Sequence, residues 1–440
     1  MLLTSIKDQS LVDKEKFLIK GGLTLKGTVR TSPAKNAVLK QMAACLLVPG
    51  EVILEDVPPL RDVLQMIEIL RFLGAECEFL DDEASALRIN CAELSSHFAP
   101  FELVSKLRAS FVVLGPLLAR LHKAKISLPG GCQIGSRRID LHIKGLALLG
   151  ASLETNHGYI DGKLIDGLKS LEGSEIHLDL PSNGATENIM MAAVLAKGKT
   201  VMQNAAKDPE IEDLANFLNA CGAQIKGAGT DCIEIEGCSL EKLHGIRYRS
   251  IPDRIEAGTF LLAALATRGK IIVENAIPKH LSALISKLRE SGAQIEADSE
   301  NRIIHIDSPE AVGGLEINTV WYPGFSTDLQ PQMTAMLTKA SASSSIKESI
   351  YEDRFSYVEE LVRMGAQIQL NNKVALITGV DNLSGAVIRG GDLRATAALI
   401  IAALSADGES EVYGLHHLDR GYSHFEEKLR GLGASVERLR

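Results

Sequence analysis

A Gly-Ala pair followed by a short alternating segment returns six times along this chain. It reads LGAECEFL at Gly74, LGASLETN at Gly150, CGAQIKGA at Gly222, SGAQIEAD at Gly292, MGAQIQLN at Gly365 and LGASVERL at Gly433. The intervals are 76, 72, 70, 73 and 68 residues, too even for coincidence, so one supersecondary unit is repeated along the chain.

Each copy follows an amphipathic stretch such as RDVLQMIEILRF, IEDLANFLNA or HLSALISKLRE, whose apolar residues recur at three and four and predict a helix with one buried stripe. Glycine after the last turn stops that helix, and period-two alternation then predicts a strand. Upstream, ENIMMAAVLAKGKTVMQNA, GTFLLAALATRGKIIVENA and ATAALIIAALSADGESEVYG each predict a further apolar helix and a strand. The unit therefore reads strand, helix, strand, helix, strand, strand. Helices this rich in Ala, Leu and Ile are expected to face inward on several sides, shielded by sheets. YRSIPDRIEAG, near residue 252, marks the midpoint between the third and fourth copies, and FLIKGGLTLKGTVR supplies strands that the second group of three lacks. Two domains are expected, one of residues 35–251 and one of 1–34 with 252–440, and their cleft is the default site.

Composition narrows the function. Aromatics are 4% of the chain, which argues against a stacking platform for single-stranded nucleic acid, and the net charge of −9 argues against a DNA-backbone role. Seven cysteines include no CxxC pair and no zinc-like spacing with histidine, so neither a disulfide framework nor a metal is expected. The first twenty residues lack the apolar stretch of a signal peptide, and no run of 18 apolar residues exists to enter a membrane. A cytoplasmic protein is expected. No dinucleotide fingerprint, Walker loop or HExxH is present, so redox, ATP-dependent and zinc-hydrolase chemistry have no support.

Seven segments carry a resemblance to a known family. They are AKNA at 34–37, LRAS at 107–110, LPGGCQIGSR at 128–137, PDRIEAGTF at 252–260, TDLQPQ at 327–332, DLRA at 392–395 and LDRGY at 418–422. Together and in this order they resemble the enolpyruvyl transferases over essentially the whole chain. The resemblance implies a two-domain, inside-out α/β barrel of six βαβαββ repeats, in agreement with the repeat count. It also implies transfer of the enolpyruvyl group of phosphoenolpyruvate to the 3-hydroxyl of UDP-N-acetylglucosamine with release of phosphate, no cofactor, and a monomer or weak homo-oligomer.

Such a reaction needs cationic groups for a phosphate and a carboxylate, an acid for the methylene carbon and a base for the hydroxyl. The glycine-rich setting of Cys132, with Arg137 five residues on, suits an acidified thiol, whereas a buried inert cysteine is the competing reading. By resemblance Cys132 is the general acid and the site attacked by the epoxide fosfomycin. Lys35 contacts the phosphate or carboxylate of phosphoenolpyruvate, and Asn36 hydrogen-bonds the sugar. Arg108 and Arg137 grip anionic groups, with Arg108 on a helix spanning ELVSKLRASFVVLGPLLARL, and Arg138 lies at the nucleotide rim. Uridine is expected between the segment containing Ile139, Asp140 and Leu141 and the loop containing Ser182, Asn183 and Gly184. Asn183 stands where the family usually has a branched aliphatic residue.

Asp328 is the implied base facing the sugar hydroxyl, and helix N-capping is its competing role. Arg394 and Arg420 bind the phosphoenolpyruvate carboxylate, while Asp392 orients Lys35 or the arginines through a salt bridge. Ile350 and Arg354 line the site, with Glu352 the expected partner of Arg354. Two other functions compete: enolpyruvyl transfer to another uridine nucleotide in secondary metabolism, and a non-catalytic sugar-nucleotide sensor.

Overall fold

A computed structural model describes residues 14–80, 86–128 and 139–440. They fall into two compact units: unit 1 holds residues 14–32 and 252–440, and unit 2 holds residues 33–80, 86–128 and 139–251.

The repeated Gly-Ala pair has a common physical cause. Gly74, Gly150, Gly222, Gly292, Gly365 and Gly433 all have φ between 90° and 109°, the left-handed region that a side chain strains. In five of the six copies the next alanine's N–H returns to a carbonyl five residues back, as Ala75 does to Leu70 and Ala434 to Leu429. This double turn closes the helix and sends the chain directly into the next strand.

The described residues form six four-stranded sheets. In each, the first two strands run parallel and the other two pairings are antiparallel, as a βαβαββ unit requires. The expected repeat architecture is borne out. The strand Arg247–Arg249 opens the first sheet of unit 2, pairing in parallel with Glu51–Glu55. In unit 1 the two N-terminal strands serve opposite ends. Lys26–Arg30 opens one sheet beside Lys270–Glu274, whereas Lys16–Lys20 lies inside the last sheet, flanked by Glu409–Tyr413 and Ser435–Leu439.

The helices Lys35–Ala44, Leu114–Leu121 and Asn183–Ala193 line the interior of unit 2, and Arg254–Ala266, Gln330–Leu337 and Leu393–Ser405 line that of unit 1. Burial on all sides explains their composition: every residue from Ile255 to Ala266 is buried. Three of these helices are capped at their N-termini by side chains, two of them from the recognised segments. Asp253 accepts from the N–H groups of Ile255 and Glu256, Asp392 from those of Arg394 and Ala395, and Ser182 from that of Ala185.

One expected element is corrected. The stretch 102–121 is not a single helix but a turn Phe101–Val104, a 3-10 segment Arg108–Val113 and a helix Leu114–Leu121. Pro116 has no N–H to give and fits only a first turn, so the helix starts afresh at Leu114.

Candidate active site

In unit 1 the centre of the polar cluster is Asp328. It sits in the 3-10 turn Thr327–Leu329 that leads into the helix Gln330–Leu337, and its capping role is taken by Ser326, whose hydroxyl accepts from the Asp328 N–H. The carboxylate is therefore available to side chains. Arg354 Nη2 donates to Oδ1 at 2.5 Å, and Arg394 donates to Oδ2 through Nη2 at 2.9 Å and Nε at 3.2 Å. Both arginines are buried, 2% and 5% exposed, so their charges depend on this partner. Burial disfavours the charge on Arg394, but Asp328, with Tyr422 and Asp253 nearby, holds its pKa above the ordinary value.

Arg354 thus pairs with Asp328 and not with the expected Glu352, which is exposed while the guanidinium turns inward and also donates to the Thr327 carbonyl. Glu348, buried, organises the same loops: it accepts from the N–H groups of Ile350 and Tyr351 and from the Thr327 hydroxyl. Asp392 spends one carboxylate oxygen on the cap described above, so it fixes the backbone that carries Arg394. Arg420 lies on the segment after the turn Leu415–Leu418, close to His417. Burial, with His416 and Arg420 beside it, pushes the His417 imidazole down to about 4, so that ring is neutral at neutral pH.

In unit 2, Lys35 is the first residue of its helix, and its Nζ donates to Asp62 Oδ2 at 3.0 Å, both side chains being buried. Asn36 follows, half-buried. Ser182, Asn183 and Gly184 begin the helix Asn183–Ala193, and a Cβ on Gly184 would approach the His142 ring to 3.1 Å. The amide of Asn188 lies 3.0 Å from His142 Nδ1, donates to the Phe111 carbonyl and accepts from the Gly115 N–H. Taking the amide as donor to His142 leaves the imidazole proton on Nε2. This buried knot sets His142, the residue after Leu141, beside the Ser182–Gly184 turn. The Asn183 Oδ1 is buried and has no hydrogen-bond partner among the described residues.

Cys132, Arg137 and Arg138 lie outside the described residues, as does the side chain of Arg108. Asp62, Glu348 and Tyr422 had not been singled out as site residues. Nothing local marks Asp62 or Glu348, but Tyr422 stands inside the LDRGY segment and could have been found there.

The profile of the EPSP synthase (3-phosphoshikimate 1-carboxyvinyltransferase) family matches residues 19–429. The chain belongs to this family of enolpyruvyl transferases. It is 51% identical over 425 residues to UDP-N-acetylglucosamine 1-carboxyvinyltransferase 2 of Carboxydothermus hydrogenoformans, a match covering 97% of this chain and 99% of that one. It is also 51% identical over 426 residues to UDP-N-acetylglucosamine 1-carboxyvinyltransferase 1 of Caldanaerobacter subterraneus subsp. tengcongensis, covering 97% and 100%. Among solved structures, the enolpyruvyl transferase NikO from Streptomyces tendae superposes with a TM-score of 0.85 at 24% identity, over 97% of this chain and 99% of that one. An EPSP synthase from Acinetobacter baumannii follows at 0.74 and 18%, over 97% and 100%. At these identities the superpositions establish the fold. No helix among the described residues is long and apolar enough to cross a membrane.

Proposed function

We propose that this enzyme transfers the enolpyruvyl group of phosphoenolpyruvate to the 3-hydroxyl of UDP-N-acetylglucosamine, releasing phosphate, in the cytoplasmic synthesis of peptidoglycan precursors. Full-length identity to relatives of that name supports the substrate pair. The observation that carries the chemistry is the Asp328 carboxylate, relieved of helix capping and held by two buried arginines.

In this reading the Asp328 carboxylate takes the proton of the sugar hydroxyl as its oxygen bonds to the central carbon of phosphoenolpyruvate. A proton reaches the methylene carbon in the same addition. The resulting ketal then loses a methyl proton and expels phosphate, leaving the enol ether. Cys132 is the acid of these steps. Arg394 and Arg420 bind the carboxylate of phosphoenolpyruvate, Arg354 and Ile350 line their side, and Asp392 sets the Arg394 backbone. Lys35 and Arg137 take the phosphate, with Arg108 a further cation. Asn36, Arg138 and residues 139–141 and 182–184 hold the sugar nucleotide. A monomer or weak homo-oligomer suffices.

Two substitutions test the reading through phosphate release with UDP-N-acetylglucosamine. Asp328→Asn keeps an oxygen acceptor for the arginines and removes the base, so kcat is expected to fall roughly 10²- to 10⁴-fold while nucleotide binding persists. Cys132→Ser is expected to abolish the mass adduct that fosfomycin forms with the wild-type protein. Wild-type turnover by Asp328→Asn, or turnover with uridine monophosphate and none with UDP-N-acetylglucosamine, would overturn the proposal.

A further inference from the structure

We propose that Tyr422 is a positioning residue for enolpyruvyl transfer: its buried hydroxyl fixes the Arg394 guanidinium and, through it, the Asp328 carboxylate. The inference rests on the function proposed above. It starts from a hydrogen-bond inventory that leaves little choice of direction.

Thr259 has a single hydroxyl proton and gives it to the Ile255 carbonyl at 2.7 Å. Its oxygen must then accept from its other neighbours. The Gln332 amide nitrogen lies 3.2 Å from Thr259 Oγ1 and 3.2 Å from the Tyr422 hydroxyl, and gives one proton to each. The Tyr422 hydroxyl, 2.8 Å from Thr259 Oγ1, therefore donates to it. Its lone pairs are left for Gln332 and for Arg394 Nη1 at 3.3 Å. Every partner is buried, and together they tie one residue of each interior helix of unit 1 to the LDRGY segment.

The consequence falls on Arg394. Nε and Nη2 lie against Asp328 Oδ2 while Nη1 lies against Tyr422, so the guanidinium is held on two edges and its plane is fixed. The Tyr422 ring adds a cation–π contact, 5.7 Å from Arg394 Cζ, and is itself wedged against Phe425. Without the hydroxyl the third nitrogen loses its acceptor in a buried site, and the arginine can rotate away from the geometry that stabilises the Asp328 anion. The charged groups facing this network are Arg394, Arg354 and Asp253.

Tyr422→Phe tests the link with the ring retained, and Tyr357→Phe is the matched control. Tyr357 is a second buried tyrosine of unit 1, and its hydroxyl meets Gln330 and Thr334, with no arginine bond among the described residues. In the phosphate-release assay Tyr422→Phe is expected to lower kcat about 10-fold or more, the scale of one weakened charge-assisted bond. KM for UDP-N-acetylglucosamine is expected to stay within about twofold of wild type, since every hydrogen-bond partner of the hydroxyl belongs to unit 1 and the residues proposed to hold the nucleotide belong to unit 2. The acid limb of kcat/KM is expected to move to higher pH, because a loosened Arg394 stabilises the Asp328 anion less. Tyr357→Phe is expected to leave the profile in place. If Tyr422→Phe does not accumulate folded, Thr259→Val removes the acceptor of the hydroxyl proton and carries the same expectation. A folded variant with wild-type kcat and pH profile, or an equal shift in Tyr357→Phe, would overturn the inference. No turnover by the wild-type enzyme would overturn the proposed function itself, and this inference with it.

Discussion

Both units pair a buried glutamate with a lysine, and the two pairs are wired differently. In unit 1, Lys428 Nζ donates to Glu256 Oε1 at 2.5 Å and to the Ser32 hydroxyl at 2.7 Å, while Glu256 Oε2 accepts the Ser32 N–H at 2.6 Å. In unit 2, Lys40 Nζ stands 2.7 Å from Glu187 Oε2 in a close ion pair. Burial raises both carboxyl groups, opposed by their lysines. Glu187 has Glu210 and Asp208 adding like charge, and it is pushed to about 7. Units of one architecture therefore surround the same charge pair differently: a lysine and the Ser32 N–H hold Glu256, while burial and two acidic neighbours push Glu187 to about 7.

The largest expected effect tests that contrast directly. Lys428→Met strands Glu256 among fixed partners and is expected to destabilise unit 1 by about 3–5 kcal/mol at pH 7.5. Lys40→Met is expected to destabilise unit 2 by roughly half as much, because Glu187 can take up a proton instead. Denaturant unfolding followed by hydrogen exchange in each unit reads both values. Equal losses would break the comparison.

A second expectation concerns pH. Glu187 rises from 4.5 to about 7 and Asp213 from 3.8 to about 6, in both cases chiefly through burial. Folded unit 2 then binds more protons than the unfolded chain between about pH 4 and 7, so its stability falls as pH rises across that window. Glu187 alone accounts for a decline on the order of 2–3 kcal/mol. Glu187→Gln should flatten the decline between pH 4.5 and 7, and an unchanged slope would show that the pair does not titrate there.

The smallest effect concerns Asn183. Replacing an unpartnered buried acceptor with a valine removes a desolvation penalty, so Asn183→Val is expected to raise the melting temperature by about 1–3 °C. If the same oxygen receives the sugar nucleotide, KM for UDP-N-acetylglucosamine rises about 3- to 10-fold. A higher melting temperature with unchanged KM would assign the oxygen to the fold alone.

These contrasts also mark what could be read from the chain without coordinates. The six repeats were legible because a left-handed glycine and an all-round apolar helix are local signatures. The charge partners were not. Asp328 meets Arg354 and Arg394 from 26 and 66 residues away, and Lys35 meets Asp62 from 27, through packing that no spacing encodes. Proximity in sequence misdirected the choice of Glu352 for Arg354, since those two side chains leave their turn toward solvent and interior respectively. A carboxylate at a helix start reads as a cap, but Ser326 caps the 3-10 turn Thr327–Leu329 and the Asp328 carboxylate turns to the two arginines.

The placement of Lys16–Lys20 has a consequence for how the protein is made. This strand leaves the ribosome well before its neighbours Glu409–Tyr413 and Ser435–Leu439 are synthesised. Residues 33–251 contain every strand of their own three sheets and can fold while synthesis continues. Meanwhile Phe17, Leu18 and Ile19 wait unpaired, an apolar trio with a lysine at each end. Those flanking charges are gatekeepers of the kind that discourage pairing between nascent chains. The last sheet of unit 1 thus closes late, when Glu409–Tyr413 and Ser435–Leu439 arrive to clasp a strand made long before them.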